Sequence, residues 1–195
     1  MSINWELVLG IIGTAAGLLA SLRWFIKDIG NKVNRPTLKI SQSLDIKDWK
    51  FLDTGETRRF ITLEVANKRN QTAQRCIATA EIVKQPSGVM HLQKTYPLHW
   101  AGIPYSAVTT GMEPVDIGME SRRLDVAFTT PNDKDRAWIA MPFALSAPGK
   151  VGQAALPKGE YVLKIQVSCS NGKGDSKLLK VLSPADWQDL SAEQI

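Results

Sequence analysis

The chain has 195 residues, 24 Lys and Arg against 19 Asp and Glu, and a formal net charge of +5. Past residue 35 the balance is nearly even, 20 basic against 17 acidic. This argues against an electrostatic nucleic-acid binder, whose cations gather into a face or stripe. Two His and two Cys, the latter 93 positions apart, fit no CxxC or zinc-finger spacing.

Trp5 to Leu22 is an 18-residue apolar run broken only by Glu6. That is near the lower end of the roughly 20 residues a helix needs to cross a bilayer core about 30 Å thick. It predicts a single N-terminal transmembrane signal-anchor helix, residues 1-35 forming anchor and juxtamembrane helix and 36-195 one further domain. Trp5 and Trp24, about 28 Å apart along a helix, would sit at the two headgroup layers, where tryptophan is enriched. No Lys or Arg precedes the run, whereas Arg23, Lys27, Lys32 and Arg35 follow it. The positive-inside bias then puts the short N-terminus outside and the domain in the cytoplasm of a single-pass protein of the cell membrane. The acidic start lacks the basic stretch of a cleaved signal peptide, although Ala20-Ser-Leu22 keeps export as a rival reading, with a buried helix of a globular domain as another. Gly10, Gly13, Gly17 and Ser21 share one helix face, and Gly13-Thr-Ala-Ala-Gly17 is a GxxxG that lets two helices approach closely in lipid. Arg35-Pro36 should end the helix.

The rest reads with period two, as half-buried strands do. Leu38 and Ile40 open the pattern, followed by Ile61, Leu63 and Val65, then Cys76, Ala78, Ala80 and Ile82. Residues 90–96 are next, then Leu124, Val126 and Phe128, residues 138–143, then Tyr161 to Cys169 and residues 177–182. Turn signals separate them: Asp53-Thr-Gly55, Asn67 to Asn70, Pro86-Ser-Gly88, Pro131-Asn132, Pro148-Gly149, Pro157-Lys-Gly159 and Asn171-Gly172. Seven or eight short strands predict a mainly β fold, an antiparallel β-sandwich. Ser183-Pro-Ala-Asp186 offers an N-cap, a proline at the first position and an acid at the third, predicting a short C-terminal helix that docks Trp187 and Leu190.

Val65-Ala-Asn67, Ala73-Gln-Arg-Cys76 and Leu156-Pro-Lys-Gly-Glu-Tyr161 resemble strand-turn-strand joints of immunoglobulin-like modules, so the resemblance implies an immunoglobulin-like β-sandwich. The Tyr-x-Cys and Cys-Trp-Cys patterns of antibody domains are absent. Leu98-His-Trp-Ala101 with Pro104-Tyr105, Arg123-Leu-Asp-Val126 and Ser168 to Asp175 are similar to a set of uncharacterised prokaryotic membrane-anchored proteins. That resemblance covers most of the chain and implies no activity.

No G-x-S-x-G elbow, H-E-x-x-H helix or dinucleotide fingerprint occurs. His99, Asp116 and Asp125 lack metal-ligand spacing, so neither metal nor cofactor is expected. Asn171-Gly-Lys-Gly-Asp-Ser176 reads as a hairpin turn rather than a phosphate loop, and Cys76 and Cys169 as small core residues. A disulfide between them becomes plausible only if the domain is exported. Asn70-Gln-Thr72 is a sequon without meaning in the cytoplasm. The stretch from Tyr96 to Tyr105, with two prolines and four aromatic or imidazole side chains, does not alternate. His99, Trp100 and Tyr105 are good recognition material on a proline-constrained loop, with Arg122 and Arg123 lining the same end; the bland alternative has Trp100 and Tyr105 plugging the sandwich. Lys68, Arg69 and Arg75 form a basic cluster near a turn, solvated or facing lipid headgroups.

These features read as a non-enzymatic, membrane-anchored binding or scaffold protein. It presents a cytoplasmic sandwich to a protein or small ligand, and self-associates through its N-terminal helix. An oligomeric membrane effector whose domain senses a signal is the alternative, and a hydrolase on a β scaffold a further one. Trp5, Arg23, Trp24 and Lys27 would fix the anchor. On this reading Gly13→Ile with Gly17→Ile weakens chemical crosslinking between copies in membranes; crosslinked species undiminished by the double change would rule out packing along the glycine face.

Overall fold

The computed structural model describes residues 21–27, 29, 30, 33–50, 55–88, 94–103, 114–142 and 154–195. The chain divides into two compact units, Met1–Arg35 and Pro36–Ile195. In the first, residues 21–27, 29, 30 and 33 are helical. Arg23 and Lys27 lie within this helical stretch. Among the described residues no helix is long and apolar enough to cross a membrane, which corrects the expected transmembrane helix. Trp5, Gly10, Gly13 and Gly17 lie outside the described residues. Ser21, Arg23, Trp24 and Lys27 are exposed. So are Leu22, Phe25, Ile26, Ile29 and Val33, and with Trp24 they make six of the eleven large apolar side chains exposed among the described residues.

The second unit is built of strands: β1 (Leu38–Lys50), β2 (Thr57–Asn67), β3 (Ala73–Lys84), β4 (Thr95–Pro97), β5 (His99–Trp100) and β6 (Val115–Ile117) come first. They are followed by β7 (Arg122–Thr130), β8 (Asp133–Ile139), β9 (Ala155–Pro157), β10 (Gly159–Ser168), β11 (Asp175–Ser183) and β12 (Ser191–Gln194). One antiparallel sheet has the order β1-β2-β7-β8-β9, with β5 also on β7. The other runs β12-β11-β10-β3-β4, with β6 also on β3. Alternation supplies the core: Ile61, Leu63 and Val65 of β2 join one buried cluster with Ala78 and Ala80 of β3, Leu163, Ile165 and Val167 of β10, and Leu179 and Val181 of β11. Each such Leu, Ile or Val side chain contributes about 1.5–3 kcal/mol on burial.

The result is sandwich-like, yet its order departs from the immunoglobulin arrangement, in which the strand beyond the third of the A-B-E-D sheet precedes that third strand in the chain. Here β8 follows β7, in a tight hairpin closed by Thr130 and Asp133. The C-terminal helix is also corrected. Ser183 ends β11, and its hydroxyl is committed to the other sheet: it donates to the Leu156 carbonyl at 2.5 Å and accepts from Ala137 N–H at 2.9 Å. It therefore caps nothing. Asp186 instead caps a single 3-10 turn over Trp187–Asp189, accepting from Gln188 N–H at 3.1 Å. Leu190 is buried, and the last residues pair with β11 as β12.

The turn between β10 and β11 holds the start of β1. Leu38 N–H donates to the Lys173 carbonyl and Lys173 N–H to the Pro36 carbonyl, both at 2.9 Å. A Cβ on Gly172 would lie 2.3 Å from the Pro36 oxygen. Gly172→Ala should thus destabilise the fold by about 1–3 kcal/mol through overpacking. Gly118→Ala, with nothing within 4 Å of the new methyl, should stay within about 0.5 kcal/mol; urea unfolding of the two variants checks the difference.

Candidate functional site

The proline-rich stretch that breaks the alternation is where the chain changes sheets. Residues 95–97 pair with β3, and Leu98 N–H donates to the Ala78 carbonyl at 2.9 Å. One residue later His99 N–H donates to the Ala140 carbonyl, also at 2.9 Å, and β5 lies on β7. Leu98, His99 and Trp100 are each about 1% exposed. Trp100 fills the core between the sheets, while His99 stands directly opposite Asp125, which also pairs with Thr62. His99, Asp125 and Thr62 are all buried, so a polar stripe crosses β5, β7 and β2. Tyr105 lies outside the described residues.

Arg122 and Arg123 begin β7, next to this crossover: Ala101 N–H donates to the Arg123 carbonyl at 2.9 Å. Arg122 is exposed, whereas Arg123 is half-buried with its guanidinium carbon 4.2 Å from the centre of the Trp49 ring. Register thus brings the sequence-predicted residues close along the strands. Their surroundings differ, however, with His99 and Trp100 withdrawn into the interior and Arg122 in solvent.

A second grouping was invisible in the sequence because its members come from separated segments. The β2–β3, β6–β7 and β10–β11 loops meet at the end of the sandwich where β1 begins. Asn67, 7% exposed, organises them. Its Oδ1 accepts from Thr37 N–H at 3.2 Å and Arg69 N–H at 3.1 Å, and its Nδ2 donates to the Gln71 and Ile117 carbonyls at 2.7 and 3.3 Å. Asn171 does the same for the neighbouring loop, accepting from Gln74 N–H at 2.8 Å and donating to the Thr72 carbonyl at 3.0 Å. Arg75 takes the left-handed conformation (φ 49°) at a bulge against β6, held by Asp116 Oδ1, which accepts its N–H at 2.8 Å. Non-glycine residues rarely adopt that region. Lys68, Arg69, Arg75, Arg122 and Lys173 all project at this end, exposed, and none makes an ion pair among the described residues. The adjacent positions 68, 69 and 75 were legible as a cluster; 122 and 173 join only through the fold.

Beside this end a cleft of about 660 Å³ opens between β1 and β11, lined by Lys39, Ser41, Gln42, Glu64, Lys68, Asp175, Ser176 and Lys177 among others. The β1 bulge between Ile40 and Leu44 forms one wall. Asp175 forms another, its Oδ2 accepting from Ile40 N–H at 2.9 Å and its Oδ1 lying 3.5 Å from Lys39 Nζ. Polar groups of both signs and hydroxyls suit a small polar ligand.

Cys76 and Cys169 are both free. The β3–β10 register, which sets Ser168 opposite Ile77, puts the two cysteines opposite each other on one sheet rather than across the sandwich. Burial, with Cys169 as a smaller contributor, pushes the Cys76 thiol up to about 12, so it is a poor nucleophile near neutrality. Among the described residues no group of three His, Cys, Asp or Glu converges as a metal site.

Asn67→Ala removes four backbone partners at once and leaves the buried Ile117 carbonyl without this donor. It should cost about 2–3 kcal/mol and speed hydrogen exchange in residues 67–72, measured by mass spectrometry against the unchanged β10–β11 ladder. Against known proteins, no family model, no curated protein and no solved structure matches the chain.

Proposed function

We propose that this protein is a non-enzymatic binding or scaffold module attached to a membrane by its N-terminal apolar segment. The β-sandwich lies on the cytoplasmic side and takes a protein or small polar ligand, with the cleft beside the β1 bulge as its candidate seat. The observation that carries this reading is the concentration of exposed large apolar side chains, Leu22, Trp24, Phe25, Ile26, Ile29 and Val33, in a dozen residues. Such a patch marks a membrane or partner surface. Arg23 and Lys27 interleave with it, as in segments that lie at a lipid interface, and Trp24 is of the type enriched there. The apolar run of residues 5–22 continues it in sequence, and the cations that follow the run support the cytoplasmic side. The reading also accords with the resemblance to prokaryotic membrane-anchored proteins.

Fractionation of cells making the full chain with a C-terminal tag tests it. The tag should sediment with membranes and resist protease until the inner membrane is opened. A tag found in the soluble fraction would sink the attachment, and one digested while that membrane is sealed would reverse the side.

A further inference from the structure

The end of the sandwich at which the chain arrives from residue 35 carries, on a rigid frame, cations that make no ion pair among the described residues. Lys68 and Arg69 sit on the β2–β3 loop, Arg75 at the bulge of β3, Arg122 at the start of β7 and Lys173 in the β10–β11 turn. Elsewhere in the domain many cations are tied: Arg59 to Asp48 at 2.8 Å, Arg58 to Glu56 at 2.7 Å, Lys180 to Glu160 at 3.0 Å, Arg136 to Asp135 at 3.0 Å. Among the described residues the carboxylates at or beside the basic end are Glu64 and Glu120, both exposed, Asp116, bonded to the Arg75 backbone, and Asp175, engaged by Lys39 and the Ile40 N–H. Cations therefore exceed free acids there. Met119, 77% exposed, protrudes among them from the β6–β7 loop.

We infer that this basic end is a docking surface for the headgroups of an anionic lipid bilayer, with Lys68, Arg69, Arg75, Arg122 and Lys173 over the phosphates and Met119 entering the interface. The inference rests on the membrane attachment proposed above and names the lipid class the domain prefers. Three observations favour lipid over other polyanions. The chain enters the domain at this end, directly after a segment rich in exposed apolar side chains. Met119 is an apolar tip with no role on a phosphodiester backbone. The cations, spread over separate loops, form a patch rather than the stripe a nucleic-acid strand follows. Each cation near an anionic leaflet strengthens association about fivefold, within a Debye length of the surface. Asn67 and Asn171 fix the loops beforehand, so docking orders little chain.

The test uses the full chain with vesicles of phosphatidylcholine alone and of phosphatidylcholine with phosphatidylserine, reading cosedimentation and hydrogen exchange. Cosedimentation with the neutral vesicles reports the N-terminal segment and so judges the attachment by itself. Exchange in residues 67–72, 117–122 and 170–174 reports the basic end. On phosphatidylserine vesicles it should slow by about fivefold or more relative to neutral ones. The slowing should vanish in about 1 M salt, where the Debye length is about 3 Å, and in a Lys68→Glu, Arg69→Glu, Arg122→Glu, Lys173→Glu variant. The salt arm stands if that variant misfolds. Exchange that ignores phosphatidylserine, or slowing that survives salt, overturns the inference even where the chain cosediments. Binding of a nucleic-acid duplex through the same four residues, without a phosphatidylserine response, overturns it in favour of a nucleic acid.

Discussion

The side-chain amide of Asn67 joins the residue before β1, the β2–β3 loop and β6 through four hydrogen bonds. A single buried group can do this because an amide offers a two-lone-pair acceptor and two donors in one plane. The turn centred on Gly172 completes the closure, since it bonds the Pro36 carbonyl and the Leu38 N–H. Where two sheets end, backbone groups lose their ladder partners, and buried ones must find others. Asparagine side chains supply them here, so the loops at this end form one frame. The placement of Arg69 and Lys173 follows from that closure, whereas Asp116 holds Arg75 and the β2–β7 register sets Arg122.

The sheet change at residues 95–100 imposes a second constraint. A strand that leaves one sheet for the other must bend, and corners of this kind break the pairing pattern. Pro97 has no N–H to offer a ladder, so it stands at the last position on β3 before the step. Leu98 then bonds across to Ala78, and His99 and Trp100 enter the opposite sheet. Residues 96–100 form in this way an internal stitch, in which Trp100 serves packing and His99 ends up in a buried polar stripe with Asp125 and Thr62.

Electrostatics divides the domain unevenly. Exposed ion pairs such as Lys180 with Glu160 and Glu193 add little stability, because solvent screens them. They do neutralise local charge. The basic end lacks that compensation among the described residues. In the lipid docking proposed above, the N-terminal segment would bring exposed apolar area and this end charge, two complementary requirements of such an interface.

Period-two alternation by itself determined that the chain past residue 35 is mainly β, because a strand that buries one face must alternate. It located the central strands through Ile61 to Val65, Ala78 to Ile82, Leu124 to Phe128 and Leu163 to Val167. It missed the length of β1 beyond Ile40, where the edge position and the bulge relax the pattern, and the short β5, β6, β9 and β12, which hold too few residues to show a period. Capping chemistry pointed to a C-terminal helix, but the Ser183 hydroxyl is claimed by Leu156 and Ala137 on the other sheet, a contact no local rule contains. The same holds for the site. Aromatic and cationic residues could be read as recognition groups from their types alone, whereas burial of His99 and Trp100, the facing of Cys76 and Cys169, and the union of Lys68, Arg122 and Lys173 depend on which strands pair. Alternation records which residues turn inward; pairing between distant segments decides what they meet, and that is settled only when the sheets close.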